Sequence, residues 1–125
     1  MLKNNFNIQR KIDNLSKKYK NKKTVLYKAG ELTDYIFKNF DTSKLNIIAI
    51  ADEKFLKENI KNYFNIKTLT LNELKYIDYD VILISDFDYE ASVKYLDERI
   101  LYGSKNANIE IRPFISLNFS EIFLH

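Results

Sequence analysis

Three short apolar runs constrain the fold of this chain more than any other feature. Thr24–Tyr27 is rich in β-forming residues, residues 45–51 are almost continuously apolar, and Val81–Ile84 is wholly apolar. Strands are apolar along their whole length when helices cover both faces of their sheet, as in parallel sheets built from β-α-β units. These runs therefore predict an α/β fold.

Further runs complete an alternation of strands and helices. Residues 66–69 and 108–112 are predicted as the third and fifth strands. Helical spacing of apolar residues covers five segments, which are residues 5–20, 32–40, 54–63, 71–76 and 88–101. We predict a Rossmann-like, three-layer domain with a parallel sheet of about five strands in the order 3-2-1-4-5, helices on both faces and an extra N-terminal helix.

Positive charge is concentrated at the N-terminus. Residues 1–23 hold eight basic residues and one acidic residue, whereas the remainder holds twelve basic and sixteen acidic residues. Such a run is either a patch for nucleic acid or membrane, or a solvated helix face, and the second is more frequent. We divide the chain into an N-terminal amphipathic helix and connector, 1–23, and a Rossmann-like domain, 24–125, and expect no nucleic-acid partner.

Cysteine is absent and the only histidine is His125, at the last position. This composition excludes disulfides, thiolate nucleophiles, a Ser-His-Asp triad and a His-ligated zinc site. No catalytic motif is complete, so we expect a protein that is not itself an enzyme and holds no metal. No apolar run could span a bilayer or serve as a signal peptide, which predicts a cytoplasmic location without a membrane span.

Ligands of parallel α/β sheets bind beyond the carboxyl ends of the strands. The candidate ligand-binding residues follow the first, second and fourth predicted strands: Lys28, Ala29, Gly30, Glu31, Asp52, Ser85 and Asp86. The dinucleotide fingerprint requires three spaced glycines, but positions 28, 30 and 33 read Lys, Gly and Thr. Lys28 is either a phosphate contact or an exposed lysine without a ligand, and Glu31 competes with any anion at the helix N-terminus.

Two of the acidic positions have alternative interpretations. Asp52 lies 22 residues beyond Gly30, where a carboxylate commonly hydrogen-bonds a ribose, but it could instead cap a helix that starts near Lys54. Asp86 and Asp88 resemble the beginning of a metal or acid-base pair, although their spacing at a helix start favours capping.

Four stretches carry a resemblance to a known class of domain: TVLYKAGELTDYIF, NIIAIADEKF, LTLNELKYIDYDVILIS and IEIRP. From residue 24 to residue 112 the chain resembles the Rossmann-like domain of bacterial surface-polysaccharide and nucleotide-sugar biosynthesis proteins. Such domains stand at the N-terminus of sugar O- and N-acyltransferases and as accessory domains of sugar methyltransferases. The resemblance implies binding of a nucleotide or nucleotide-sugar through Ala29, Gly30, Glu31 and Asp52, and Lys28 replaces the family's first glycine.

Two functions are consistent with these features. The first is an accessory or regulatory module that binds a nucleotide or nucleotide-sugar, with Asp52 on the ribose and residues 28–31 beside the phosphates. The alternative is a degenerate protein-interaction or oligomerisation module without nucleotide, docking through its leading helix and the apolar tail 114–124. The expected partners are accordingly a nucleotide-sugar ligand and a second copy or a separate catalytic subunit.

Overall fold

The computed structural model describes residues 2–101 and 109–115. Within these residues the α-helices are α1 (Leu2–Lys18), α2 (Glu31–Asn39) and α3 (Tyr89–Leu96). The strands are β1 (Thr24–Tyr27), β2 (Ile47–Ala51), β3 (Asn62–Tyr63), β4 (Ile66–Leu69), β5 (Val81–Ile84) and β6 (Glu110–Pro113). Two 3-10 turns, Glu53–Leu56 and Asn72–Tyr76, follow β2 and β4, and a π-helical turn, Asp97–Leu101, continues α3.

The strands form one mostly parallel sheet in the order β3-β4-β2-β1-β5-β6. β1 pairs in parallel with β2 on one side and with β5 on the other. Leu26 of β1 lies beside Ile50 of β2 and Leu83 of β5, so these three side chains point to the same face. β4 and β6 extend the parallel sheet, while β3 pairs antiparallel with β4 at one edge.

Helices cover both faces of the sheet, which explains why its central strands are apolar throughout. One face, which includes Leu26, shares a buried cluster with Ile12 of α1 and Ile36 of α2. The opposite face, which includes Ile82, shares a second cluster with Leu96 of α3 and with the second 3-10 turn. The sheet is therefore the middle of three layers.

The predicted α/β class is confirmed, but the strand count and the strand order differ from the prediction. We expected five strands in the order 3-2-1-4-5, whereas the sheet has six strands. The prediction lacked β3 because its residues were assigned to a helix over residues 54–63. That helix prediction is wrong, since a 3-10 turn ends at Leu56 before β3 begins. A strand of two residues is too short to produce a period of alternating polarity.

Aromatic packing attaches the tight β3–β4 hairpin to α2 and to the first 3-10 turn. Phe64 and Asn65 adopt φ values of 50° and 63°, and a type I′ hairpin turn requires positive φ at both of these positions. The Phe64 ring stacks on Phe37 of α2 with 5.3 Å between centroids, and the Tyr63 ring lies 6.1 Å from that of Phe55. These tertiary contacts offset the cost of a left-handed backbone at Phe64. Because the stabilising contacts are distant in sequence, the local sequence does not predict a hairpin at this position.

The N-terminal helix packs on the sheet rather than standing apart from it. Ile8, Ile12 and Tyr19 are at most 5% exposed and belong to the cluster that includes α2. Of the tail over residues 114–124, Phe114 and Ile115 lie within the described residues and are buried in the same cluster, and the rest lies outside them. Among the described residues no helix combines the length and apolar character needed to cross a membrane.

Candidate functional site

One carboxylate ties the end of β2 to the turn between β1 and α2. Asp52 follows β2 and is 8% exposed. The Ala29 N–H donates to Asp52 Oδ2 at 2.9 Å, and the Lys54 N–H donates to Asp52 Oδ1 at 3.0 Å. Lys54 Nζ in turn donates to the Ala29 carbonyl. This arrangement of Ala29, Asp52 and Lys54, which we call the clamp, satisfies polar groups that would be costly to bury without partners.

Lys28 has a left-handed backbone at the position where the dinucleotide fingerprint has its first glycine. Its φ of 92° lies in a region that residues with a Cβ rarely adopt. The Lys28 N–H donates to the Ala51 carbonyl at 2.9 Å, and the Lys28 carbonyl accepts from Thr33 Oγ1 at 2.5 Å. Gly30 has a φ of −117°, and an added Cβ would meet Lys28 Cγ at an ordinary 3.9 Å. The turn therefore favours glycine at position 28 and tolerates a side chain at position 30.

The loop after β5 is also bonded within the protein. Ser85 is 1% exposed, and its Oγ lies 2.7 Å from Thr33 Oγ1, which links β5 to α2. Asp86 accepts from the Ser92 hydroxyl at 2.7 Å, and Asp88 accepts a backbone N–H in the first turn of α3 at 3.1 Å. Asp88 therefore caps α3, as one interpretation of the sequence predicted, and Asp86 is hydrogen-bonded to the start of the same helix.

The structure brings most of the predicted site residues together, and most of their hydrogen bonds are to other parts of the protein. Asp52 and Ser85 both hold the β1–α2 turn that contains Lys28, Ala29 and Gly30. Glu31 is exposed at the start of α2, and Asp86 bonds within its own loop and α3. Asp52 is the cap that one interpretation of the sequence predicted, since each of its oxygens accepts a backbone N–H. Its role on a ribose stays a prediction.

A crevice of about 620 Å³ lies beside this network, beyond the carboxyl ends of β2 and β4. Four residues after β2 and four after β4 line it together with Arg99 of the π-helical turn: Glu53, Lys54, Leu56, Lys57, Thr70, Leu71, Asn72 and Lys75. None of the seven predicted ligand-binding residues lines this crevice. Its volume falls within the range of small-molecule sites in proteins, about 300–1,000 Å³.

Positive charge dominates this crevice, which we call the cationic crevice. Four cationic side chains and one carboxylate line it: Lys54, Lys57, Lys75, Arg99 and Glu53. The Lys54 ammonium is committed to the clamp and lies 5.3 Å from the centroid of the Tyr63 ring. Lys57 and Lys75 are exposed, and no carboxylate among the described residues forms an ion pair with either. Their charges are therefore available to an anion.

Within the described part of the chain, Arg99 is the one cation of the crevice that has a carboxylate partner. Its Nε lies 3.7 Å from Glu53 Oε1, and its Cζ lies 3.7 Å from the centroid of the Tyr95 ring. A separation of 3.7 Å is too long for a hydrogen bond, so Glu53 balances the charge of Arg99 without using its N–H donors. Both side chains are about half exposed, and such pairs contribute about 0–1 kcal/mol to stability.

Tyr27, at the end of β1, lies close to the charges of this sheet edge. Burial raises the pKa of Tyr27 to about 12, and Arg99 opposes this shift. Three carboxylates act with burial to raise this pKa: Asp52, Glu53 and Asp86. The phenol is therefore neutral at physiological pH and adds no negative charge beside the crevice.

Sequence reasoning missed the cations that define the crevice. Lys57 lay within the helix wrongly predicted over residues 54–63, while Lys75 and Arg99 lay near the ends of two other predicted helices. The rule that ligands bind at strand carboxyl ends selects the segments after β2 and β4. It gives no signal that Arg99, which follows α3, would join them.

Within residues 2–101 and 109–115, no group of three or more His, Cys, Asp or Glu side chains could hold a metal ion. Comparisons with protein-family models, with curated proteins and with solved structures find no match to this chain. The geometry and charge of the crevice are therefore the observations that bear on function.

Replacing Asp52 with alanine should lower the free energy of unfolding by about 3 kcal/mol, because the variant loses a cap and leaves the buried Ala29 N–H without its acceptor. Urea denaturation measures this change. Asp88→Ala removes an exposed cap alone and should cost about 1 kcal/mol. Equal losses in the two variants would mean that the clamp contributes no more than an ordinary cap.

Replacing Lys28 with glycine should raise the free energy of unfolding by about 1 kcal/mol. The strain relieved is on the order of 1–3 kcal/mol, and the extra backbone entropy of glycine costs about 0.5–1 kcal/mol. Lys28→Ala is the matched control because it removes the charge but keeps the Cβ, and it should change stability by less than about 0.5 kcal/mol. Equal effects of the two substitutions would refute backbone strain at this position.

Proposed function

We propose that this chain is a non-catalytic, accessory or regulatory module that binds a nucleotide or nucleotide-sugar, with the phosphates in the cationic crevice. The role is the one implied by the resemblance to Rossmann-like domains of bacterial surface-polysaccharide biosynthesis. The parallel strands β4-β2-β1-β5-β6, with helices on both faces, support the Rossmann-like part of the proposal.

The observation that carries the proposal is the excess of cations at the carboxyl edge of the sheet. Lys57, Lys75 and Arg99 share one crevice, and Glu53 is the one carboxylate that lines it. Arginine and lysine side chains are the usual protein partners of phosphate oxygens. Leu56 lines the same crevice and is 74% exposed, which offers apolar surface for a base or a sugar ring.

This proposal moves the phosphates away from the turn between β1 and α2. The Lys28 carbonyl accepts from Thr33, and both backbone groups of Ala29 are bonded within the clamp. Glu31 also places a carboxylate in the first turn of α2, where it competes with an anion for the helix N-terminus. A phosphate therefore meets less opposition in the cationic crevice.

A degenerate interaction module, which docks a second copy or a catalytic subunit, is the second candidate. Exposed apolar side chains near the crevice favour it, since Leu56 and Tyr76 are 74% and 88% exposed. Burial of Phe114 and Ile115 opposes docking through the described part of the C-terminal tail. Ligand binding is the property that separates the two candidates.

A thermal-shift screen tests the proposal with NAD, uridine- and cytidine-diphosphate sugars and acetyl-coenzyme A. One nucleotide class should raise the melting temperature by about 5 °C at ten times its dissociation constant, because it binds the folded state alone. The double variant Lys57→Gln/Lys75→Gln should lose most of this shift while its stability without ligand stays close to that of the original protein.

The matched control is Lys20→Gln/Lys22→Gln, which removes the same charge from exposed positions before β1. It should keep the full shift, since these lysines do not line the crevice. Absence of a shift with every nucleotide at millimolar concentration would overturn the proposal in favour of the interaction module. An equal loss of shift in both double variants would show that binding depends on net charge and not on the crevice.

A further inference from the structure

Among the described residues that line the cationic crevice, Glu53 is the one carboxylate, and its charge opposes an anionic ligand. It follows Asp52, whose carboxylate is fixed by the clamp, so the backbone that carries Glu53 has a defined position. Its Oε1 lies 3.7 Å from Arg99 Nε, within ion-pair distance but without a hydrogen bond. In the absence of ligand, Glu53 therefore stands where an anion paired with Arg99 would bring its own oxygens.

Arg99 is held ready for a planar, two-point contact. Its guanidinium carbon lies 3.7 Å from the centroid of the Tyr95 ring, close enough for the two planar groups to stack, which restricts the side chain. No acceptor among the described residues takes a hydrogen bond from the guanidinium, so its donors remain available. A stacked arginine with free donors is suited to bidentate contact with phosphate oxygens.

Charge in the crevice indicates how many negative charges the ligand carries. Lys57, Lys75 and Arg99 supply three positive charges besides Lys54, which is committed to the clamp, and Glu53 balances one of the three. Two charges are then left over while the ion pair is closed, and three when Glu53 withdraws. A single carboxylate or a zwitterion would leave cations unbalanced, whereas a pyrophosphate group supplies two to three negative charges.

We propose that the crevice selects a pyrophosphate group, whose oxygens displace Glu53 from Arg99 so that this ion pair acts as a built-in competitor of the ligand. This inference rests on the proposed function. It further identifies the anionic group of the ligand as pyrophosphate and Glu53 as the residue that lowers the affinity for the ligand. The exchange costs little because the Glu53–Arg99 pair is half exposed and lacks a hydrogen bond.

Calorimetric titration with inorganic pyrophosphate tests this inference, because the probe contains no base or sugar. Glu53→Gln should bind pyrophosphate about threefold to fivefold more tightly than the original protein, since a competing charge is removed. Arg99→Gln should weaken binding at least tenfold, and Arg99→Lys should restore part of the loss, because lysine keeps the charge but not the fork. Uridine, which has no phosphate, should bind equally to all of these variants.

Glu31→Gln is the matched control, because it removes one exposed carboxylate from the start of α2. Pyrophosphate affinity should be unchanged in this variant. An equal gain in pyrophosphate affinity in Glu31→Gln and Glu53→Gln would mean that net charge alone causes the gain. That result would overturn the role of Glu53 as a competitor of the ligand. Unchanged affinity in Glu53→Gln would also overturn it.

Failure of the pyrophosphate inference can be distinguished from failure of the proposed function. If a nucleotide raises the melting temperature but pyrophosphate neither binds nor competes with it, the proposed function stands and the pyrophosphate inference falls. If neither nucleotide nor pyrophosphate binds, both are overturned. Circular dichroism of each variant checks that its fold is retained, so that lost affinity is not lost structure.

Discussion

The geometry of the carboxyl edge of the sheet depends on the hydrogen bonds that the Asp52 carboxylate accepts. It accepts N–H groups from two different loops, and the Lys54 side chain returns a hydrogen bond to the carbonyl of Ala29. These bonds fix the turn after β1 relative to the turn after β2. They also bind the Lys54 ammonium within the protein. Lys57, Lys75 and Arg99 are then the cations of the crevice that are available to a ligand.

The clamp has a functional cost as well as a structural benefit. It uses both backbone groups of Ala29 in the β1–α2 turn, where a parallel α/β sheet commonly binds phosphate. Lys28 lies in the same turn with a left-handed backbone, where the dinucleotide fingerprint has glycine. We propose that a charged ligand binds instead beside the segments after β2 and β4. The chain is thus proposed to keep the architecture of a nucleotide-binding domain while moving the phosphate contact along the same sheet edge.

The sequence predicts the parts of this structure that depend on local patterns. Continuous apolar runs identified β1, β2 and β5, and the spacing of acidic residues at helix starts favoured capping, which Asp88 shows. The β3–β4 hairpin could not be predicted, because Phe64 is held in a left-handed conformation by its contact with Phe37 across the fold. The crevice escaped prediction for a similar reason, since its cations come from three segments that only tertiary packing brings together.

The central claim is that phosphate binds in the cationic crevice and not at the turn between β1 and α2. Nuclear magnetic resonance titration of isotope-labelled protein with inorganic pyrophosphate tests it directly, because each backbone amide reports its own surroundings. The account predicts that the largest shifts fall on residues 53–57 and 70–75 and on the side-chain Nε of Arg99. Largest shifts at Gly30 and Glu31, with little change at Lys57 and Lys75, would contradict it.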